Sequence, residues 1–308
     1  MRIAAASVRR VRLEFRRPLR TARGAQSVRE TLLLSLTDAD GLTGHGEAAP
    51  WPGFGTESTD AAQAALEQTA VALRGADVEP GAPDAAIDSM LRDRPAALAA
   101  LHGALWDLAA RRLGLPLARC LAQRIRAAGP DASDAVATHA LLRGDANGAW
   151  DSERALAALE RLAPLGFEFV EQPLPADALD ELAVLRRRAP VRIALDESVA
   201  TDSDVVRAIE AGAADVVVLK PAFLGGSMRA LAIAERVRAA GAKVIYTHAM
   251  ESAVGAHHAL HCAAADGDAM AIHGLSTSGL FVEDVAAPVD ARHGIVEVPV
   301  GAGIGVSP

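Results

Sequence analysis

A short apolar run ending in a charged side chain recurs through the middle of this chain at nearly constant intervals. Asp145 in Arg143-Gly-Asp-Ala-Asn-Gly148, Glu171 in Phe169-Val-Glu-Gln-Pro173, Asp196 in Ala194-Leu-Asp-Glu-Ser198 and Lys220 in Val218-Leu-Lys-Pro221 follow one another at spacings of 26, 25 and 24 residues. Amphipathic stretches of helical period lie between and after them, over 152–162, 178–188, 203–211 and 227–240. A repeated strand–helix unit of this length builds a parallel sheet with helices outside it. One charged side chain per unit, always at the same strand end, points every copy to one face, and in barrels that face carries the chemistry.

Three carboxylates converging on one face raise one another's pKa unless a cation sits among them. Hard oxygen ligands with room left for water and substrate suit Mg²⁺. An acid at a strand end also caps the helix that follows. That reading covers any one of them, whereas three acids and a lysine in step go beyond it. The lysine is informative in itself, because only Lys220 and Lys243 among the 31 basic residues are lysines.

The N-terminal part reads differently. Val11-Arg-Leu-Glu-Phe15 alternates with period two, and Thr31-Leu-Leu-Leu-Ser-Leu-Thr37 runs into the turn signal Asp38-Ala-Asp-Gly41 and a further short strand. Ala-rich helical patterning follows over 58–74. It resumes over 84–112, with a break near Arg94-Pro95, and stops at Gly114-Leu-Pro116. Strands followed by helices define a separate α+β domain. Beyond it, strand-like runs fall at 136–142, 167–170, 191–195, 215–219, 243–246 and 270–272. Val136 to Val289 is 154 residues, whereas an eight-unit barrel takes about 250. The expected fold is therefore α/β, a TIM-type (β/α) barrel shortened by about two strand–helix units.

The formal net charge of −8 speaks against nucleic acid as a partner. No apolar stretch approaches the ~20 residues that span a bilayer, so no membrane partner is expected either. Cys120 and Cys262 make no disulfide framework, and the N-terminus breaks into charge too early for a signal peptide. The expectation is a reduced, cytoplasmic protein.

In this order and spacing, Asp-Ala-Asn-Gly, Val-Glu-Gln-Pro, Leu-Asp-Glu-Ser and Leu-Lys-Pro resemble the enolase superfamily, in its muconate-lactonising subgroup. Gly44-His-Gly-Glu-Ala-Ala-Pro50 with Pro52-Gly-Phe-Gly-Thr-Glu57 is similar to the capping-domain loop of that family. Ala104-Leu-Trp-Asp-Leu108 is similar to its capping helix, and Met250-Glu-Ser-Ala-Val-Gly255 to the loop after its seventh strand. The Pro-Gly-Phe loop, Lys-Pro-x-x-x-Gly-Gly-Ser and Glu-Ser-x-x-Gly look most like the o-succinylbenzoate synthase group.

The resemblance implies an α+β capping domain over 1–115, a barrel over 116–290 and a C-terminal segment over 291–308 that returns to the cap. It implies Mg²⁺ on Asp145, Glu171 and Asp196, binding a small-molecule carboxylate substrate and stabilising the enediolate formed as the α-proton leaves. Lys220 would face that enediolate as a second cation or as the opposite acid/base. Phe54, Thr56, Asn147, Glu251 and Ser252 would contact the substrate, and segments 18–30 and 49–58 would close over it. The net reaction would be loss of water from a cyclohexadiene carboxylate to give o-succinylbenzoate, in menaquinone biosynthesis. N-acyl amino-acid racemases and dipeptide epimerases share much of the pattern. An acidic cap residue placed to meet a substrate ammonium group would mark a dipeptide epimerase.

One element of the family is absent. Its main base is the last lysine of a Lys-x-Lys motif on the second barrel strand, and here no lysine precedes Lys220. Either the segment is deleted, leaving a metal-binding relic, or it has been lost from the gene as read, or another residue serves. His248 in Tyr246-Thr-His-Ala249 is the first choice for that role and His139 the second. Glu197 reads as an orienting neighbour or a helix-start acid, and Cys262 as core. His257, His258 and His261 read as helix-surface or interface residues, and Gly301-Ala-Gly-Ile-Gly305 as a terminal turn. An incomplete barrel leaves strand edges open, so pairing of copies into a homo-oligomer is expected there.

Overall fold

The N-terminal alternation folds as a long antiparallel hairpin, β1 (Ile3–Thr21) and β2 (Gly24–Asp38), with β3 (Thr43–Ala48) on the far side of β2. This is seen in a computed structural model that describes residues 1–21, 24–79, 85–125, 132–137, 142–268, 271–275 and 279–308. The turn into β3 follows from its residues. Asp38 Oδ1 accepts the amides of Asp40 and Leu42 at 3.0 Å each, and Gly41 takes a φ of 85°. Leu32, Leu34 and Leu36 pack into the core of the cap, while Leu33 joins Val11, Leu13 and Phe15 in the core shared with the barrel layer. A strand covered on both faces accounts for consecutive leucines where simple alternation does not.

Helices close the other face of this sheet. α1 (Thr59–Leu73) is capped by Ser58, whose side chain accepts the Ala61 amide. α2 (Ala85–Met90) leads to α3 (Pro95–Leu113), which starts on a proline and ends at Gly114 in the left-handed region. α3 is buried from Ala96 to Ala110. β3 presses on it so closely that a Cβ on Gly46 would stand 2.0 Å from the Ala100 carbonyl oxygen. α4 (Leu117–Ile125) then resumes the helix beyond Gly114-Leu-Pro116, a short amphipathic element read beforehand as the end of helical structure.

The repeat supplies the second layer. β4 (Ala135–Ala137) precedes β5 (Leu142–Asp145), α5 (Ser152–Leu162), β6 (Phe167–Glu171), α6 (Leu179–Arg188), β7 (Arg192–Leu195), α7 (Asp202–Ala211), β8 (Val216–Leu219), α8 (Ser227–Ala239), β9 (Lys243–Tyr246), α9 (Ala253–Asp266) and β10 (Ile295–Glu297). β5 to β9 form one parallel sheet in sequence order. Beyond β9 the curl continues, because Thr247 bridges Gly274 in parallel and the His273 amide donates to the Ala137 carbonyl at 2.9 Å. β4 pairs antiparallel with β10. The result is a curled parallel β/α half-barrel under a capping domain.

The run 136–142, expected as one strand, divides. Its first part is β4 at one end of the curl, and its last residue opens β5 at the other. Both halves are extended, so alternation could not reveal the break; the pairing of Asp145 with Glu171 fixes where β5 must lie. Residues 138–141, with the candidate base His139, lie outside the described residues. Among the described residues no strand pairs with the outer edge of β5, where Leu142 is 56% exposed. His257, His258 and His261 are buried on α9, and His258 Nε2 meets the His45 carbonyl of the cap at 2.8 Å. The C-terminal turn lies on α3 and α4, with the Ile304 amide on Asp107 and the Leu117 amide on the Gly303 carbonyl. Among the described residues no helix is long and apolar enough to cross a membrane.

Candidate active site

The strand ends of the half-barrel open into a cavity of about 780 Å³. Asp145 closes β5 and stands in register with Glu171, which closes β6. Asp196 and Lys220 each follow the last residue of their strands, β7 and β8. All four line the cavity, with Asn147, Glu197, Thr247 and His248. Below them Phe169, Ala194, Val216, Val218 and Ile245 fill the interior. The acids thus sit above an apolar floor.

Local turns aim these side chains. Asn147 takes a φ of 46°, and both its amide and its side chain donate to the Asp145 carboxylate, at 2.9 and 2.6 Å. The Lys220 ammonium is paired with Asp196 Oδ2 and lies 4.7 Å from the centre of the Phe54 ring and 5.9 Å from that of Phe223. Phe54 comes from the cap, so the cap loop covers the lysine directly. Its neighbour Trp51 stacks edge-on to Phe54, and Arg29 fixes this loop by donating to the carbonyls of Ala49 and Pro50. His248 Nδ1 lies 3.2 Å from the Met250 amide and 3.4 Å from Glu251 Oε2.

The electrostatics register a shortage of positive charge. Burial first, then Asp196 and Asp145, push the Glu171 carboxyl well above its ordinary range. Burial likewise raises Asp145, opposed by the Asn147 amide. Glu197 is raised to about 7, by burial and then by Asp196. Burial pulls Lys220 down, but Asp196 and the other acids carry it above its usual value, keeping it an ammonium ion. Glu197 Oε2 is buried without a hydrogen-bond partner. Hard oxygen donors short of a counter-ion fit a divalent cation such as Mg²⁺. As they stand, no three such groups among the described residues are drawn closely around one point, and Asp196 is engaged by Lys220.

Some residues expected at the substrate are spent elsewhere. Thr56 does not line the cavity; its hydroxyl accepts the Trp51 amide and stabilises the cap loop. Glu251 is buried behind His248 and accepts the Ala249 amide. Ser252 is fully buried, caps α9, and binds the buried Glu47 of β3 through its amide and hydroxyl. Phe54 and Asn147 do line the cavity. So do Trp51, Arg143, Gln172 and Phe223, whose only sequence signal is their nearness to the motifs.

A capping α+β domain over a β/α half-barrel, with acids and a lysine on successive strand ends, defines the enolase-type class of fold. A family model described as "Mandelate racemase / muconate lactonizing enzyme, N-terminal domain" matches residues 3–121, and one described as "Enolase C-terminal domain-like" matches 122–308. The chain belongs to the mandelate racemase/muconate lactonizing enzyme family of the enolase superfamily. It is 30% identical to muconate cycloisomerase 1 of Rhodococcus opacus, with 94% of this chain and 91% of that one covered. That alignment runs over 345 positions, more than this chain's 308 residues, so the relative carries several tens of residues without a counterpart here. It is 40% identical to o-succinylbenzoate synthase of Mycolicibacterium smegmatis over 169 residues, covering 54% of this chain and 49% of that one. The match thus spans about half the length of that synthase. Among solved structures, dipeptide epimerase from Methylococcus capsulatus, complexed with Mg and the dipeptide L-Arg-D-Lys, superposes with a TM-score of 0.88 at 27% identity, each chain fully covered.

Proposed function

We propose that this protein is a Mg²⁺-dependent carbon–oxygen lyase of the o-succinylbenzoate synthase type, removing a proton next to a carboxylate and then water from a cyclohexadiene carboxylate. Asp145, Glu171 and Asp196 would hold the metal. Mg²⁺ bound there would supply positive charge to the substrate carboxylate as the α-proton leaves. Lys220 faces the same carboxylate from the other strand end and shields its growing charge. His248, on the cavity wall, would take the α-proton and pass it to the hydroxyl group that departs as water. Phe54, Phe223 and Trp51 give the substrate ring an apolar wall.

The observation that carries the choice of lyase over epimerase is the origin of the acids. Every carboxylate lining the cavity, Asp145, Glu171, Asp196 and Glu197, belongs to a barrel strand end. Two acids of the cap are engaged elsewhere: Glu30 with Arg10, and Glu57 with the amides of Ala96 and Ala97. Among the described residues no cap acid lines the cavity to meet the ammonium group of a dipeptide. A second reading, a metal-binding relic, is favoured by the absent Lys-x-Lys lysine alone. Incubating the protein and Mg²⁺ with the cyclohexadiene carboxylate, an N-succinyl amino acid and a dipeptide separates the readings. Loss of water from the first without epimerisation of the others is expected; epimerisation alone would reverse the assignment, and no reaction would favour the relic.

A further inference from the structure

Between the acids lies a residue whose side chain is spent on holding the surrounding loops. Gln172 is fully buried and holds a φ of 38°, a left-handed conformation that is strained for a residue other than glycine. Its side chain uses its whole hydrogen-bonding capacity. Nε2 donates to the Leu174 carbonyl at 2.9 Å and to Ser198 Oγ at 2.7 Å. Oε1 accepts the amides of Asp196 and Ser198, both at 3.1 Å. The two amides fix which end of the side chain is oxygen. Its backbone reaches further: the Gln172 amide donates to the Ala194 carbonyl at 2.8 Å, and its own carbonyl accepts the Gly148 amide at 2.7 Å. One residue therefore ties the loop after Asp145, the end of the strand bearing Glu171, and the backbone of Asp196.

We infer that Gln172 is a positioning residue that sets the mutual placement of Asp145, Glu171 and Asp196, and that its strained backbone is retained for this purpose. The inference rests on the reading of those three acids as a metal site. It gives a counter-intuitive expectation for Gln172→Gly. Glycine relieves the left-handed φ, so a residue kept for backbone reasons alone would be replaced without loss. A positioning role predicts weaker metal binding in a protein that still folds.

The test uses Mn²⁺ as a spectroscopic stand-in for Mg²⁺, titrated into the full chain and followed by electron paramagnetic resonance, with Mg²⁺ as competitor. The unsubstituted protein should bind Mn²⁺ at one site from which Mg²⁺ displaces it. Gln172→Gly should bind it about 10–100-fold more weakly, in a protein that still folds cooperatively at a melting temperature lowered by the lost buried hydrogen bonds. Ser198→Ala, which removes one of the four side-chain bonds, should weaken it several-fold. Unchanged Mn²⁺ affinity in Gln172→Gly overturns the inference, as does a loss of stability without a loss of affinity. Should Gln172→Gly not fold, Ser198→Ala decides: affinity equal to that of the unsubstituted chain overturns the inference. If the unsubstituted protein binds no Mn²⁺, the metal reading itself fails.

Discussion

Acidification should loosen α9, the helix whose N-terminus carries Glu251 and Ser252 behind the site, and His261 allows the size of the effect to be worked out. This imidazole is fully buried, and its Nδ1 accepts the Ala118 amide of α4 at 3.1 Å. Burial pushes its pKa from 6.5 down to about 3. In the interval between those values the unfolded chain binds the proton and the folded chain does not. Stability therefore falls as pH drops through 6.5 and levels off below about 3. Linkage gives a loss of about 2.5 kcal/mol from this one residue between pH 7 and pH 4.5. His261→Gln keeps an acceptor for Ala118 and removes the titration. Urea unfolding of both proteins at the two pH values cancels the contributions of the carboxylates they share. The stability difference should swing by about 2.5 kcal/mol in favour of the variant on acidification. A difference that stays constant within about 0.5 kcal/mol refutes the argument.

Further outcomes follow from single contacts. Gly46→Ala forces a methyl group into the Ala100 carbonyl and should cost about 3 kcal/mol or more, read as a lowered melting temperature or failure to fold. Lys220→Met removes the partner of Asp196; turnover should fall by about 10²–10³ while Mn²⁺ affinity holds or rises, and parallel loss of both would contradict the role given to Lys220. Phe54→Ala strips the ring from the Lys220 ammonium and should raise KM up to about tenfold with a smaller change in kcat, seen in steady-state kinetics.

The strand ends were legible because a charged residue after an apolar run marks the boundary of a βα unit, and four such marks in step left one arrangement open. Asp145, Glu171, Asp196 and Lys220 all reach the same cavity. The cap loop was legible only as a segment. Phe54 lies on the lysine, whereas Thr56 turns its hydroxyl back to Trp51, and nothing in Gly-Phe-Gly-Thr distinguishes the two. Glu251 and Ser252 look like site residues by motif, yet Ser252 is bound by Glu47, a residue 205 positions away. Long-range pairings of this kind have no local signature. The division of 136–142 into two strands was hidden for the same reason, since β10, the partner that draws its first half away from β5, comes much later in the chain.

The most direct test of the account is dehydration of the cyclohexadiene carboxylate by the purified 308-residue chain, with Mg²⁺, with EDTA, and with Glu171→Gln in place of the natural protein. The account predicts turnover with Mg²⁺, its loss in EDTA, recovery when Mg²⁺ is restored, and none from Glu171→Gln. Turnover that ignores EDTA, or an unsubstituted protein that holds Mg²⁺ and converts nothing, would contradict it.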